Sequence, residues 1–257
     1  EIPAILVFLF EETQQVLRSQ PTIVEARAPA KIYGDLHGQL RDMLLHLLHW
    51  GFPEAGDGRP TLIFNGDWID RGTHQLEVLI LVFALKVVFP EKVWIVRGNH
   101  EDEHLNYHMG ETGFHHHCCS RLGTKEGELV YNAAHQAINW LPLGCLLAQK
   151  VLILHGGIGD GQWDIHDIAR VQRPLDHHAL TQEPVLYNML WSDPIADDPT
   201  PKNTFGVHSS PRDGNRHKIL TFGRDVTKEF CQRNGLEAIV RSHEAVERGY
   251  GYDVMHK

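Results

Sequence analysis

Five short, mainly apolar runs punctuate the chain, and each gives way abruptly to polar residues. Ala30 to Tyr33 runs into Gly34-Asp35-Leu36-His37-Gly38, and Thr61 to Phe64 into Gly66-Asp67-Trp68-Ile69-Asp70-Arg71-Gly72. Val93 to Val96 meets Arg97-Gly98-Asn99-His100-Glu101, Val151 to Leu154 meets His155-Gly156-Gly157, and Leu236 to Val240 meets Arg241-Ser242-His243-Glu244. Runs of this length, bounded by glycine and polar residues, predict strands. Between the first three the spacing becomes helical. Met43, Leu44, Leu47 and Leu48 lie on one face of Arg41 to Trp50, and Gly51-Phe52-Pro53 ends that segment. Leu76 to Phe89 is apolar nearly all round, which predicts a buried crossover helix. The alternation predicts βαβ units and an α/β fold.

The remaining segments carry weaker patterns. Residues 11–20 predict a polar-faced helix stopped before Pro21. Residues 102–150 predict mainly helix, clearest over Leu129 to Trp140 and stopped at Leu141-Pro142-Leu143. Residues 160–220, rich in Pro, Asp, Gly and His, predict loops with one short helix near Ile165 to Val171, and Pro194 to Gly214 as the most mobile segment. Thr227 to Asn234 predicts a helix with Gly235 as its C-cap residue.

The residues just beyond the five apolar runs carry the candidate chemistry. Ligands collect beyond the carboxyl ends of strands in open α/β sheets. If the five runs are neighbours, two Asp, one Asn and three His converge there. Asp35 and His37, two apart, face one side and can grip one ion. Asp67 is the expected bridging carboxylate, and Arg71 can fork onto phosphate. Asn99, His155 and His243 are expected at a second ion, while His100 faces elsewhere and is free for acid work. Hard oxygens with imidazoles suit Mn, Fe or Zn.

With 257 residues the chain is long enough for one large domain with a full core. The net charge of −9 argues against a nucleic-acid partner. Cys118, Cys119, Cys145 and Cys231 form no CxxC pair, which excludes a thiolate zinc framework of that spacing and fits reduced thiols, including the adjacent pair. No apolar stretch reaches the ~20 residues of a membrane span, so no membrane partner is expected. Cysteine usage and the lack of a targeting signal point to cytoplasm or nucleus. The chain begins at Glu1 and is read as an excised piece.

The segments GDLHGQ, GDWIDRG, RGNHE, HGG, LWSDP and RSHE occur in this order from residue 34 to residue 244. In identity and spacing they resemble the phosphoprotein phosphatase family of metal-dependent Ser/Thr phosphatases, over about Ser19 to Tyr252. Gln20-Pro21-Thr22, Ala55-Gly56-Asp57, His155 to Gly159 and Glu229 to Asn234 further resemble the subgroup that carries a Kelch-repeat propeller, although no Kelch repeat is present here. The resemblance implies a calcineurin-like metallophosphoesterase fold: a central mixed β-sandwich flanked by helices, as a single catalytic domain over 1–257 with its C-terminal strands missing.

It implies two divalent or trivalent ions, Mn or Fe/Zn. Asp35, His37 and Asp67 would hold one, and Asp67, Asn99, His155 and His243 the other, about 3.5–4 Å away. A metal-bridging hydroxide would attack phosphoserine or phosphothreonine directly. Arg71 and Arg216 resemble the arginines that bind the phosphate oxygens. His100 would protonate the leaving oxygen, with Asp70 orienting it. Phosphoprotein substrates are implied, with room for regulatory subunits or an appended regulatory domain.

The sequence departs from the family in three places. The segment after Asn-His-Glu reads Thr112-Gly113-Phe114 after what looks like a three-residue insertion. Arg216 is followed by His rather than Gly, and the chain stops at Lys257, before the family's final strands and a loop tyrosine. Two rival readings are a nucleotide-directed metallophosphoesterase and a scaffold with weak or no catalysis. His115-His116-His117, His177-His178 and Asp197-Asp198 are read as solvated surface.

Overall fold

A computed structural model describes residues 1–54, 56, 60–195, 205–213 and 218–251. In chain order the first half contains α1 (Ile2–Arg18), β1 (Ile23–Ala26), β2 (Ala30–Tyr33), α2 (Leu40–Trp50), β3 (Thr61–Phe64), α3 (Gln75–Val88), β4 (Val93–Ile95), α4 (Glu103–His108), α5 (Phe114–Leu122) and α6 (Thr124–Ile138). The second half contains β5 (Gly144–Leu147), β6 (Val151–Leu154), α7 (Ile165–Ala169), α8 (His177–Gln182), α9 (Pro184–Trp191), β7 (Asp193–Pro194), β8 (Val207–Ser209), β9 (Leu220–Phe222), α10 (Arg224–Asn234) and β10 (Ala238–Val240).

The five strands that precede the candidate ligands do not share one open sheet. β2, β3 and β4 form a parallel sheet, joined by crossovers through α2 and α3. β6 and β10 belong to a second, mixed sheet in the order β1-β5-β6-β10. The two sheets face each other through Val24, Ala26, Cys145 and Ile153 on one side and Ile63, Trp94 and Val96 on the other. This is a β-sandwich, and it explains why β3 is buried at every position: one face meets the other sheet, the alternate face meets helices. β7, β9 and β8 make a small third sheet at one side.

Helices cover both outer faces. α3 lies buried on one sheet, with α1 and α6 packed near it, and Phe10 meets Phe83 edge-on at 5.8 Å. Lys86, an interruption in the apolar run of α3, is fully buried. Its Nζ donates to the carbonyls of Pro90 and Val93 at 2.7 and 2.8 Å and sits over the Trp94 ring. Trp163, Ile165, Leu186 and Phe230 cover the second sheet.

Several sequence expectations are corrected. The helix read over residues 11–20 begins at Ile2, because the apolar run Ile2 to Phe10 supplies its buried face through Leu6 and Phe10. The described residues of 160–220 are not loops with a single helix, while residues 196–204 and 214 of the segment read as mobile, Pro194 to Gly214, lie outside the described residues, Asp197-Asp198 among them. Asp176 caps α8 by accepting from the Ala179 N–H, and Pro184 occupies the first turn of α9, where it lacks no needed donor. His177-His178 therefore opens a helix. Gly235 ends α10 in the left-handed conformation, φ 66°. All four cysteines are free. Among the described residues no helix is long and apolar enough to cross a membrane.

Candidate metal centre

While β1 and β5 run the other way, the sandwich brings the carboxyl ends of the parallel sheet to one edge with those of β6 and β10. The loops after β2 and β3 are stitched together there. The Asp67 carbonyl accepts the N–H groups of Leu36 and His37 at 2.9 and 2.8 Å, and Trp68 O accepts from Gly38. Asn65 links the two sheets: its Nδ2 donates to Leu154 O and Ser242 Oγ, both at 2.9 Å. The chain strains to present these side chains. His37, Asp67, Asp70, Arg71 and His243 all have positive φ, five of the seven non-glycine residues that do so among those described. Such strain concentrates where surrounding structure fixes a functional geometry.

Asp67 sits at the centre of the group. Its Oδ2 lies 3.5 Å from His37 Nε2 and 3.3 Å from His155 Nε2, while its Oδ1 accepts from the His100 N–H at 2.9 Å. Asn99 Oδ1 is 2.9 Å from His155 Nε2. Asp35 Oδ2 lies 4.0 Å from His37 Nε2, and its Oδ1 accepts the His243 N–H at 3.1 Å. The His155 and His243 rings are 5.1 Å apart. Two sets of donor atoms each fall within 4.8 Å, His37 with Asp67 and His100, and Asp67 with His155 and His243. Both contain Asp67.

The imidazoles are oriented from behind. His37 Nδ1 donates to Ile69 O at 2.7 Å and His155 Nδ1 to Asn65 O at 2.8 Å, so each Nε2 faces Asp67. Carbonyl partners of this kind fix the tautomer and aim of a metal-binding histidine. The Nε2 atoms of His37 and His243 are buried and have no hydrogen-bond partner. Buried polar atoms left this way are costly, and a cation at the cluster would satisfy them. The donor set fits a hard or borderline divalent ion.

The ionisable groups around Asp67 shift one another strongly. Burial alone would raise the Asp67 carboxyl, but the imidazoles of His155, His100 and His37 outweigh it and hold Asp67 well below the usual carboxylate range. Burial opposes charge on His155, yet Asp67 beside it pushes its pKa up to about 9. Burial, with His155 and Arg212 nearby, drives His243 down to about 2. His37 is lowered, chiefly by burial.

Above this group lies a cleft of about 310 Å³, lined among others by Arg71, His100, Trp191 and Arg212. His100, whose ring stands 4.7 Å from that of His37, is held at both ring nitrogens. Nδ1 donates to Asp70 Oδ2 at 2.7 Å, and Arg71 Nη2 donates to Nε2 at 3.0 Å. Asp70, fully buried, also accepts from Asn106 Nδ2 at 2.7 Å and the Phe114 N–H at 2.8 Å. Arg216 lies outside the described residues.

Four supporting residues receive no role from sequence reading. Buried Glu101 accepts the backbone N–H groups of Asp67, Trp68 and Gly98 at 2.7, 2.9 and 2.9 Å and so shapes both ligand loops. Burial and the Asp67 charge push its carboxyl up to about 7. Gly98 is required: a Cβ there would lie 2.2 Å from Asp67 Oδ1. Asn106 braces Asp70 and the His100 carbonyl. Arg212 pairs with Asp193 at 2.5 Å at the cleft wall. Only Gly98 and Glu101 carried a signal, through their place in RGNHE beside Asn99 and His100.

Comparison with known proteins identifies the family. A calcineurin-like phosphoesterase family model matches residues 29–247. The chain is 37% identical over 244 residues to the serine/threonine-protein phosphatase BSL2 of Arabidopsis thaliana, covering 94% of this chain but 23% of that protein's length. Its structure matches a protein serine/threonine phosphatase from Saccharomyces cerevisiae with similarity to human phosphatase PP5. There the TM-score is 0.80 at 27% identity, over 95% of this chain and 71% of the other. A cold-active protein tyrosine phosphatase shares the fold, with a TM-score of 0.62 at 17% identity over 91% and 70% of the two chains.

Proposed function

The chain belongs to the calcineurin-like phosphoesterase family, and from that membership we propose that it hydrolyses phosphoserine and phosphothreonine in proteins at a divalent-metal centre. The observation that carries this reading is the juxtaposition of an orphaned donor cluster around Asp67 with a braced acid, His100, and a guanidinium, Arg71, in one cleft. Asp35, His37 and Asp67 would hold one ion, and Asp67, Asn99, His155 and His243 a second. Manganese, or iron with zinc, suits these oxygens and imidazoles. When bound, the ions supply Lewis acidity toward phosphoryl oxygens and make water nucleophilic at neutral pH.

The protein's own residues then have separable tasks. Arg71 turns its fork onto the phosphate. That movement frees His100. The Arg71 guanidinium and a protonated His100 Nε2 are both donors and cannot keep their 3.0 Å contact. Once Arg71 engages substrate, Nε2 can carry a proton to the departing seryl or threonyl oxygen. Asp70 holds the opposite nitrogen and favours the imidazolium at that moment. Arg212 is the second guanidinium at the cleft wall, and Arg216 is proposed as a further phosphate ligand. Phosphoproteins are the proposed substrates and cytoplasm or nucleus the proposed site of action, with control by regulatory subunits or a further domain.

The test is turnover with added Mn²⁺ on a phosphothreonine peptide, compared with a dinucleoside polyphosphate. Metal-dependent phosphate release from the peptide, at a much higher kcat/KM, is the expected result. Preference for the dinucleotide would assign a nucleotide-directed enzyme, and metal uptake without turnover on either would assign a scaffold.

A further inference from the structure

A second group of donor atoms converges outside the cleft. His115 and Cys119 stand four residues apart on α5 and so share one helix face, and α6 brings Glu128 against them. His115 Nε2 lies 2.8 Å from Glu128 Oε1 and 3.8 Å from Cys119 Sγ, and the three donor atoms fall within 4.8 Å of one another. Tyr107 and Tyr131 flank the imidazole at 4.7 and 5.0 Å between ring centres and restrict its rotation. The close approach of the helices has its own cause. A Cβ on Gly127 would lie 2.5 Å from Cys119 Cα, so only glycine lets α6 deliver Glu128 to this point.

We propose that His115, Cys119 and Glu128 form a mononuclear site for a zinc-class divalent ion, with water completing the coordination. The alternative chemistry for Cys, His and Glu in contact is a nucleophilic relay, and the geometry argues against it. A relay places the base between thiol and carboxylate and uses both ring nitrogens. Here one atom, Nε2, faces both partners, which is how ligands surround a shared ion. Burial and the Glu128 charge raise the Cys119 thiol, the reverse of what a nucleophile needs. A bound cation would reverse that effect and deprotonate the sulfur.

One sulfur, one nitrogen and one oxygen make a borderline-soft set that favours zinc over magnesium or manganese. Tetrahedral bonds of about 2.0–2.3 Å place ligand atoms roughly 3.3–3.6 Å apart. The observed 2.8 and 3.8 Å separations bracket that range, so small side-chain rotations suffice. An ion here would tie α5 to α6. The first N–H of α5, that of Phe114, is the one that Asp70 accepts.

The test uses protein whose cleft is first filled with Mn²⁺ and which is then titrated with Co²⁺ as a zinc surrogate. A sulfur-to-cobalt charge-transfer band distinguishes the two sites, because no cysteine lines the cleft. The expected result is a band that saturates at one equivalent, is erased by Zn²⁺ and is lost in Cys119→Ser. His115→Asn should weaken Co²⁺ binding at least about tenfold with far-UV circular dichroism unchanged. No band in the unsubstituted protein, or a band that survives Cys119→Ser, would overturn the proposal. The first of these needs no variant to fold.

Discussion

Replacing Asp70 with Asn removes one charge and almost no volume, yet the surroundings leave the amide no good orientation. The carboxylate accepts three hydrogen bonds, two at Oδ2 from His100 and Asn106 and one at Oδ1 from the Phe114 N–H. An asparagine has one acceptor and one donor. With its oxygen at the Oδ2 position it keeps His100 and Asn106 but turns an NH₂ toward the Phe114 N–H. The reverse orientation sets the NH₂ against two donors. The better choice loses a charge-assisted bond, about 1.5–3 kcal/mol, and orphans a buried N–H, about 1–3 kcal/mol, together about 2.5–6 kcal/mol. Urea unfolding of the ion-free protein reads this directly.

The same change removes the charge that supports an imidazolium at His100. A general acid contributes on the order of 10²–10⁴ in rate, so kcat on a phosphoserine peptide should fall by roughly 10²-fold or more. On an aryl phosphate, whose leaving group needs no proton, the fall should be several-fold. A destabilisation below about 1 kcal/mol, or equal losses on both substrates, would rule out this role for Asp70.

Three further outcomes are expected. His135, fully buried with neither ring nitrogen bonded, is lowered by burial and by Arg97 from 6.5 to about 3. The unfolded chain therefore takes up a proton that the folded one refuses, and stability falls by about 1.4 kcal/mol per pH unit between 6.5 and 3. His135→Leu should gain about 2–3 kcal/mol relative to the parent between pH 7 and 4.5 in unfolding measurements, and a pH-independent difference would contradict this. Gly98→Ala drives a Cβ into Asp67 and should weaken Mn²⁺ binding about 10–100-fold by calorimetry, although no ligand is changed. Arg71→Ala should lower kcat on the peptide by about 10²–10³-fold, while Mn²⁺ stoichiometry stays unchanged by elemental analysis.

The strands after which the ligands sit were legible because each apolar run ends at a polar cluster, four of them with glycine, and four of the five runs match within one residue. Leu236 to Val240 is the exception, since pairing with β6 begins only at Ala238. Their division between two sheets was not legible from periodicity, which gives alternation but not pairing partners; only the family resemblance carried it. β5 was hidden because its four residues follow at once on Leu141-Pro142-Leu143, read as the stop of the preceding helix, and are too few to show a period of their own. α8 and α9 were masked by a Pro- and His-rich composition that reads as loop, although Asp176 and Pro184 are helix-start signals when weighed by position. The residues gathered at the cleft could be named because their types are those that bind metal and phosphate. Glu101, Asn106 and Asn65 could not, since their roles rest on hydrogen bonds to segments up to 177 residues away.

If loops from both sheets converge on a divalent-metal centre built around Asp67, anomalous diffraction from crystals grown with Mn²⁺ will locate it. Two manganese peaks sharing Asp67 are expected, one beside His37 and Asp35, the other beside His155, Asn99 and His243. Absence of a peak at Asp67 in Mn²⁺-saturated crystals, or ions bound only elsewhere, would contradict the assignment.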